Sequence, residues 1–198
     1  MEVKIQSNKL NALYEKGKTL FWKHGVRRIS IEEICKEAKV SKMTFYKQFK
    51  NREEFAQYIL GFVLEEAMEQ YRKIMQKDIP YSEKVKELIL LKHDSTTLIS
   101  QEFIEDIYKN EEFGLKQQLE QHQQNFMGEI MRDLAEAQEQ GHIRKGLNLD
   151  FVLYFLNDMS GKLFDERLAA LYPSTQDLIM EITNFFFYGI VGKEKSQE

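Results

Sequence analysis

The hydrophobic positions of this chain recur at intervals of three and four residues, the spacing that predicts amphipathic α-helices. In the first segment, the pattern predicts a helix over residues 4–24 that ends at Gly25. Its apolar face includes Leu13 and Phe21, and Gly17 lies between them. Because glycine in a helix interior costs about 1 kcal/mol relative to alanine, we expect Gly17 to admit a second helix at close range.

Capping patterns predict where the next three helices begin. Ser30 is followed three residues later by Glu33, a spacing typical of a capping box. Ser41 can cap a third helix, and Asn51, with Glu54 three residues further on, begins a fourth. The two short helices after Ser30 and Ser41 are joined by a brief turn. This arrangement predicts a helix-turn-helix, whose second helix enters the major groove of DNA.

The stretch VSKMTFYKQF, residues 40–49, contains the predicted second helix. If its apolar residues Val40, Phe45 and Phe49 pack inward, the helical period turns the remaining positions outward. The exposed face then holds Lys42, Met43, Tyr46 and Lys47. Lysine can donate to guanine or phosphate, methionine can contact a thymine methyl group, and tyrosine can reach a phosphate. We expect this face to contact DNA; the alternative is a tyrosine that covers the core beside two solvated lysines.

The rest of the chain also has helical periodicity, so we predict an all-α fold of about nine helices. The predicted helices after residue 51 are 52–77, 82–96, 102–108, 111–140, 150–171 and 174–189. Only two prolines and 10 glycines occur in 198 residues, which favours long helices over a turn-rich β architecture. We expect a helix-turn-helix DNA-binding domain at residues 1–51 and a larger helical ligand-binding and dimerisation domain at residues 52–198.

The charge distribution supports this division. Residues 1–60 hold 13 Lys and Arg against 7 Asp and Glu, a net charge of +6. The remaining residues hold 15 against 25, a net charge of −10. A basic segment on an acidic body is typical of a small nucleic-acid-binding domain attached to a second domain, because only the basic segment has to face phosphate.

Composition also excludes several classes of protein. No run approaches 18 consecutive apolar residues, and the first residues are charged with no apolar signal region after them, so we expect neither membrane insertion nor secretion. The single cysteine, Cys35, cannot form an internal disulfide and fits a reducing cytoplasm. No HExxH, CxxC, GxGxxG or GxSxG motif is present, so we do not expect an enzyme.

The run FWKHGVRRISIEEICKEAKVSKMTFYKQFKNREEF, from Phe21 to Phe55, resembles the N-terminal domain of the TetR family of bacterial transcriptional regulators. The matching positions are Phe21, Gly25, Ser30, Ile34, Ala38, Val40, Ser41, Thr44, Tyr46, Phe49 and Glu53. Three positions, Met43, Lys39 and Glu32, depart from the family pattern. Met43 replaces a small residue, and Lys39 replaces the turn glycine. Glu32 stands where some relatives have a basic base-reading residue, so we do not assign it a base contact.

The resemblance implies roles for residues at matching positions. Lys42, Met43 and Tyr46 are expected to face bases or the adjoining backbone. Thr44, Lys47, Gln48 and Ser30 are expected near phosphates, and Arg52 resembles a basic residue at the start of the fourth helix. The complete expected DNA-binding set is Ser30, Ser41, Lys42, Met43, Thr44, Tyr46, Lys47, Gln48 and Arg52. The expected partner is double-stranded DNA with a palindromic operator, and the expected activity, repression, comes from the resemblance alone.

The last two predicted helices are apolar on more than one face, which favours a homodimer interface over a wholly internal core. The expected interface residues are Phe151, Phe155, Phe164, Ile182, Phe185 and Phe186. The alternative is that these helices are covered on all sides by their own chain. A two-fold dimer also suits DNA reading, because it presents two recognition helices to two half-sites.

The resemblance further implies a small, often apolar ligand among the middle helices. Candidate lining residues are His93, Thr97, Phe103, Ile107, Phe126, Met127, Ile130, Phe155 and Met159. For each of them, ordinary core packing is the alternative, since methionine and aromatic residues fill cores generally. We expect no metal and no cofactor. A helical dimer that binds small molecules but no specific DNA remains the alternative function.

Overall fold

The computed structural model describes residues 8–163 and 165–191, and within these ranges it is all-α. The helices are α1 (Asn8–His24), α2 (Ile31–Ala38), α3 (Lys42–Tyr46), α4 (Arg52–Met75), α5 (Tyr81–Thr96), α6 (Gln101–Lys109), α7 (Leu115–Glu139), α8 (Leu149–Lys162), α9 (Glu166–Ala169) and α10 (Thr175–Ile190). A 3₁₀ turn at Glu111–Phe113 precedes α7. In the described residues the extended structure is limited to one isolated bridge between Ile143 and Val191.

The capping residues act as predicted. At the start of α2, the Ser30 hydroxyl accepts from the Glu33 amide at 3.2 Å, and the Glu33 carboxylate accepts from the Ser30 amide at 2.9 Å. Ser41 accepts from the Thr44 amide at 3.2 Å, and Asn51 accepts from the Glu54 amide at 2.8 Å. These side chains satisfy amides that have no partner within the helix, so each helix starts at a defined residue.

Two of the predicted helices were wrong in extent. The helix predicted at 150–171 is divided into α8 and α9, because Asp165 accepts from the amides of Arg167 and Leu168 and begins a new helix. The helix predicted at 111–140 begins at Leu115, after Gly114 adopts a left-handed conformation with φ 62°. The predicted start of α1 at residue 4 lies outside the described residues.

The chain divides into two compact units. The first comprises Leu98–His122 and the described part of Met1–Ala67; the second comprises Met68–Thr97 and the described part of Gln123–Glu198. The first unit has a core in which residues from α1, α2, α3, α4 and α6 are fully or almost fully buried. Its fully buried side chains include Leu13, Phe21, Ile34, Phe45, Phe55, Ile59 and Phe113.

Within the first unit, Gly17 of α1 lies in close contact with side chains of α4. A Cβ atom at this position would lie 2.5 Å from Cε1 of Phe55 and 2.9 Å from Cδ1 of Ile59. Both of these side chains are fully buried. The prediction that glycine is needed here for close helix packing is therefore confirmed.

Helix α6 packs on the end of α1 in the same unit. The rings of Trp22 and Phe103 lie 4.2 Å apart between centroids, and the Ser100 amide donates to the Trp22 carbonyl at 2.8 Å. The buried carboxylate of Asp106 accepts from the Arg27 amide at 2.9 Å. These contacts fix the turn between α1 and α2, from which the helix-turn-helix continues.

The second unit has its own apolar cluster, formed by Leu134, Ala137, Ile143, Leu147, Val152 and Ile190. Polar contacts join α4 to α7 beside it: Arg72 makes two hydrogen bonds of 2.8 Å to Glu129, and the Tyr71 hydroxyl donates to Asp133 at 2.7 Å. Throughout the described ranges, each helix is too short or too polar to cross a membrane.

Gly17→Ala should destabilise the protein, although alanine is the better helix former. The added methyl group would collide with Phe55 and Ile59, and overpacking of this kind costs about 1–3 kcal/mol. Gly128→Ala is the matched control, because Gly128 is exposed in α7 with open space around its Cβ position. It should stabilise by about 1 kcal/mol in urea unfolding. Equal stabilisation by both substitutions would contradict the close approach at Gly17.

Lys39→Gly should stabilise the first unit. Lys39 ends α2 in the left-handed conformation, with φ 53° and ψ 41°, which costs a residue with a Cβ atom about 1 kcal/mol relative to glycine. Lys36→Gly, in the interior of α2, should instead destabilise by about 1 kcal/mol. Melting temperatures of the two variants test the contrast, and a lower melting temperature for Lys39→Gly than for the unchanged protein would refute it.

Candidate nucleic-acid interface

The orientation of α3 is set by two buried aromatic rings. Phe45 is fully buried, and its ring lies 5.4 Å from that of Phe49 and 5.2 Å from that of Phe55, measured between centroids. Val40, in the turn before α3, is also buried. The prediction that these three residues of the stretch 40–49 face inward is confirmed.

The opposite side of this segment is open to solvent, as the helical period predicted. We call Lys42, Met43, Tyr46 and Lys47 the α3 face. Met43 is 68% exposed and Tyr46 is 54% exposed, although side chains of this size are often buried in a folded domain. Lys42, Lys47 and the adjacent Gln48 are exposed as well. The face thus combines two cations, an apolar side chain and a phenol.

An acidic residue that the sequence analysis left without a role also lies on this surface. Glu32, in the first turn of α2, forms an ion pair with Lys42, whose ammonium group donates to the Glu32 carboxylate. This hydrogen bond holds the pKa of Glu32 below its ordinary value and raises the pKa of Lys42. The pair connects the first turn of α2 to the first residue of α3. Because the two residues are ten positions apart in different helices, the helical period does not predict their contact.

The three hydroxylated residues of the expected DNA-binding set hold the ends of helices. Ser30 donates to the Glu33 carboxylate at 2.9 Å in addition to its capping bond. The hydroxyls of Ser41 and Thr44 are 3.0 Å apart and hydrogen-bond to each other at the start of α3. Their geometry orients α2 and α3, and any contact they make with phosphate would have to share these hydrogen bonds.

Arg52 makes several contacts within its own chain, and its expected contact with phosphate stays a prediction. Its guanidinium group donates to the carbonyls of Arg27 at 2.7 Å and Ile29 at 3.3 Å, and pairs with Glu53 at 3.2 Å. The group also lies 5.8 Å from the centroid of the Phe113 ring. Through these hydrogen bonds, Arg52 connects the turn before α2 to the start of α4.

A second exposed surface lies on α8 and α10. Phe151 is exposed, and Phe185 is 70% exposed. Three large residues that the sequence analysis did not assign are exposed in the same part of the chain: Tyr154, Leu171 and Tyr188. Phe186 is half-buried against the apolar cluster of the second unit, and its place in a dimer interface stays a prediction. Phe164 lies outside the described residues.

An open groove of about 230 Å³ runs between α8, α9 and α10. Phe155 and Ile182, both half-buried, line it together with Phe185 and Met159. Charged residues also contribute to its lining: Asp158, Lys162 and Glu181. Two residues of the expected ligand set, Phe155 and Met159, therefore lie in a groove that shares residues with the expected dimer interface.

The nine candidate ligand residues differ in burial and surroundings within the described ranges. Phe103 and Ile107 are buried in the core of the first unit, and their place in a ligand site stays a prediction. His93 and Thr97 are exposed on and after α5, where His93 contacts Asp94 at 3.1 Å. The half-buried α7 residues of the set are Phe126, Met127 and Ile130, and the Arg72 guanidinium lies 4.8 Å from the Phe126 ring centroid.

No group of three or more His, Cys, Asp or Glu residues within residues 8–163 and 165–191 is arranged to hold a metal ion.

Comparisons with known proteins agree with the helix-turn-helix. Residues 13–59 match the family model described as bacterial regulatory proteins, tetR family. This match covers α2 and α3, most of α1 and the beginning of α4. No curated protein matches the chain.

Solved structures share the fold over nearly the whole chain. The reduced form of E. coli NemR has a TM-score of 0.70 at 14% identity, covering 96% of this chain and 100% of that chain. The fatty acid degradation regulator FadR from Bacillus halodurans has a TM-score of 0.66 at 14% identity, covering 98% and 100%. The ketosteroid transcriptional regulator KstR2 of Mycobacterium tuberculosis has a TM-score of 0.56 at 18% identity, covering 96% and 98%. At these identities the likeness shows the fold.

Proposed function

We propose that this chain, whose N-terminal domain belongs to the tetR family of bacterial regulatory proteins, is a ligand-responsive repressor that binds a palindromic operator as a homodimer. The observation that carries the proposal is the α3 face. Its four side chains are exposed on a helix whose rotation is fixed by the buried Phe45. The DNA-binding domain is residues 1–51, and the protein acts in the cytoplasm, where bacterial DNA lies.

In this proposal α3 enters the major groove and its side chains divide into two groups. Lys42, Met43 and Tyr46 face base edges and the adjoining backbone, the role that the resemblance implies for their positions. Lys47, Gln48 and Thr44 contact phosphates, which fix the position of the helix without reading sequence. The net charge of +6 in residues 1–60 supports this arrangement, since phosphate contacts supply most of the non-specific affinity for DNA.

The dimer forms through α8 and α10. The exposed rings of Phe151 and Phe185 lie 6.1 Å and 6.4 Å from the ring of Phe155, measured between centroids. Large contiguous apolar patches are rare on monomeric proteins, and a two-fold contact between equivalent helices would bury this one. Phe155 and Ile182 in the adjoining groove would extend the contact. A dimer then presents two copies of α3 to two half-sites, which matches a palindromic operator.

The ligand is a small, apolar molecule, and its binding releases the operator. Met127 and Ile130, half-buried on α7, are the candidate contacts together with Phe126, Phe155 and Met159. The names of two similar structures support an apolar ligand, since one is a fatty acid degradation regulator and the other a ketosteroid transcriptional regulator. His93 and Thr97 would contact a ligand only at the protein surface, so they are the weaker part of the set.

Selection of bound DNA from a random pool tests the proposed function. We expect enrichment of a palindrome, and a gel shift with and without competitor DNA should then separate specific from non-specific binding. Recovery of no preferred sequence would favour the alternative, a helical dimer that binds small molecules without specific DNA binding.

Replacement of Lys47 and replacement of Lys42 should change DNA binding in different ways. Lys47→Ala should reduce the slope of log affinity against log salt by about two per dimer, because one phosphate contact is lost from each protomer. It should leave sequence preference unchanged. Lys42→Ala and Tyr46→Ala should instead flatten the preference at symmetric positions of each half-site, with a loss of about 1–3 kcal/mol per base contact.

Both properties are measured by titrating these variants at several salt concentrations against the selected operator and scrambled DNA. The proposed rotation of α3 is contradicted if Lys47→Ala changes base preference while Lys42→Ala changes only the salt slope.

Phe185→Glu should yield monomers or aggregates and weaken operator binding, because it places a charge in the proposed interface. Leu90→Glu is the control, since Leu90 is a large apolar residue exposed on α5, outside that interface. Sedimentation at micromolar concentration should give a dimer for the unchanged protein and for Leu90→Glu. A stable monomer for the unchanged protein would refute the assembly.

A further inference from the structure

The ion pair between Glu32 and Lys42 places a negative charge on the surface proposed to meet DNA. Both side chains are more than half exposed, at 59% for Glu32 and 52% for Lys42. Glu32 belongs to the first turn of α2 and Lys42 is the first residue of α3, so the pair bridges the two helices of the helix-turn-helix. Met43, the next residue on the α3 face, is exposed beside Lys42.

The ion pair between Glu32 and Lys42 is not needed for the stability of the fold. An ion pair at this exposure contributes little to the stability of the fold, and the two helices are already joined through a buried core that includes Ile34 and Phe45. Near DNA the carboxylate has a cost, because it is repelled by phosphates and partly neutralises the lysine beside it. A carboxylate on such a surface is useful where it accepts a hydrogen bond from a base.

We propose that Glu32 and Lys42 act together as the reader of one G·C base pair in each half-site. This inference rests on the proposed function, since it requires α3 to enter the major groove. Lys42 donates to O6 and N7 of the guanine, and Glu32 accepts from the amino group of the cytosine. Each protomer of the dimer contributes one such pair.

The chemistry of the major groove selects this base pair. Guanine presents two adjacent acceptors and cytosine presents a donor, whereas the edge of an A·T pair ends in a carbonyl acceptor and a methyl group at thymine. Lysine to guanine and glutamate to cytosine are the common pairings of these side chains. The hydrogen bond between Lys42 and Glu32 holds a donor and an acceptor side by side, so the two groups suit the two bases of one pair.

The same carboxylate weakens binding to other sequences. An A·T pair in the same orientation presents the O4 acceptor of thymine where cytosine presents its amino group, so Glu32 loses hydration there without gaining a partner. Lys42, held by Glu32, is also less available to bind phosphate non-specifically. Glu32 is therefore a specificity-determining residue that lowers affinity for wrong sequences and preserves affinity for the operator.

Glu32→Gln tests the inference, with Glu37→Gln as the matched control. Both substitutions remove one negative charge from an exposed position of α2. The control lies five residues further along the helix, which turns it about 140° away from Glu32 at 3.6 residues per turn. The unchanged protein and both variants are used to select DNA from a random pool. Each is then titrated at several salt concentrations against the selected operator, operators with single symmetric substitutions, and scrambled DNA.

The unchanged protein and Glu37→Gln should require a G·C pair at one symmetric position, with a loss of about tenfold or more per half-site on substitution. Glu32→Gln should lose most of this requirement and bind scrambled DNA more tightly. Its salt slope should be steeper by about two per dimer, because Lys42 becomes free to contact phosphate.

Three results would overturn the inference alone, with specific operator binding retained. They are an A·T pair at the position that depends on Glu32, an equal change of affinity for all sequences in Glu32→Gln, and the same loss of preference in Glu37→Gln. If the unchanged protein selects no DNA sequence, the proposed function fails and the inference fails with it.

Discussion

The packing of Phe45 and Phe49 against Phe55 is the interaction on which the candidate DNA-binding surface depends. The ring centroids of Phe45 and Phe49 lie 5.2 Å and 4.8 Å from that of Phe55. Helix α3 has five residues, too few to be stable in isolation, so its rotation is set by this packing. Gly17 allows α4 to bring Phe55 into place, and the burial of one side of α3 exposes Met43 and Tyr46 on the other.

The features that the sequence predicted correctly are local ones. Capping by Ser30, Ser41 and Asn51 depends on residues three or four positions apart, and the inward and outward sides of residues 40–49 follow from the helical period alone. The resemblance places a glycine at the position of Lys39, and the φ of 53° at Lys39 is the left-handed conformation that glycine adopts readily. The all-α fold followed from the same periodicity, extended over the whole chain.

Features that depend on distant residues were not predictable in this way. The carbonyls that accept from Arg52 belong to residues 23 and 25 positions earlier, and Glu32 meets Lys42 because two helices cross. Aromatic residues posed a related difficulty: the sequence around Phe103 suits both a ligand site and a core, and its contact with Trp22 could not be read from the local pattern. The separation of α8 from α9 depended on a cap at Asp165, which the apolar pattern around it obscured.

The central claim is that the α3 face reads DNA sequence, and the most direct test is one ratio of affinities. Fluorescence anisotropy would measure binding of the protein to its selected operator and to a scrambled duplex of the same length and composition, at one near-physiological salt concentration. Phosphate contacts are the same for both duplexes, so the ratio isolates base reading. The account predicts that the operator binds at least about 10³-fold more tightly. Equal affinity for the two duplexes would contradict it.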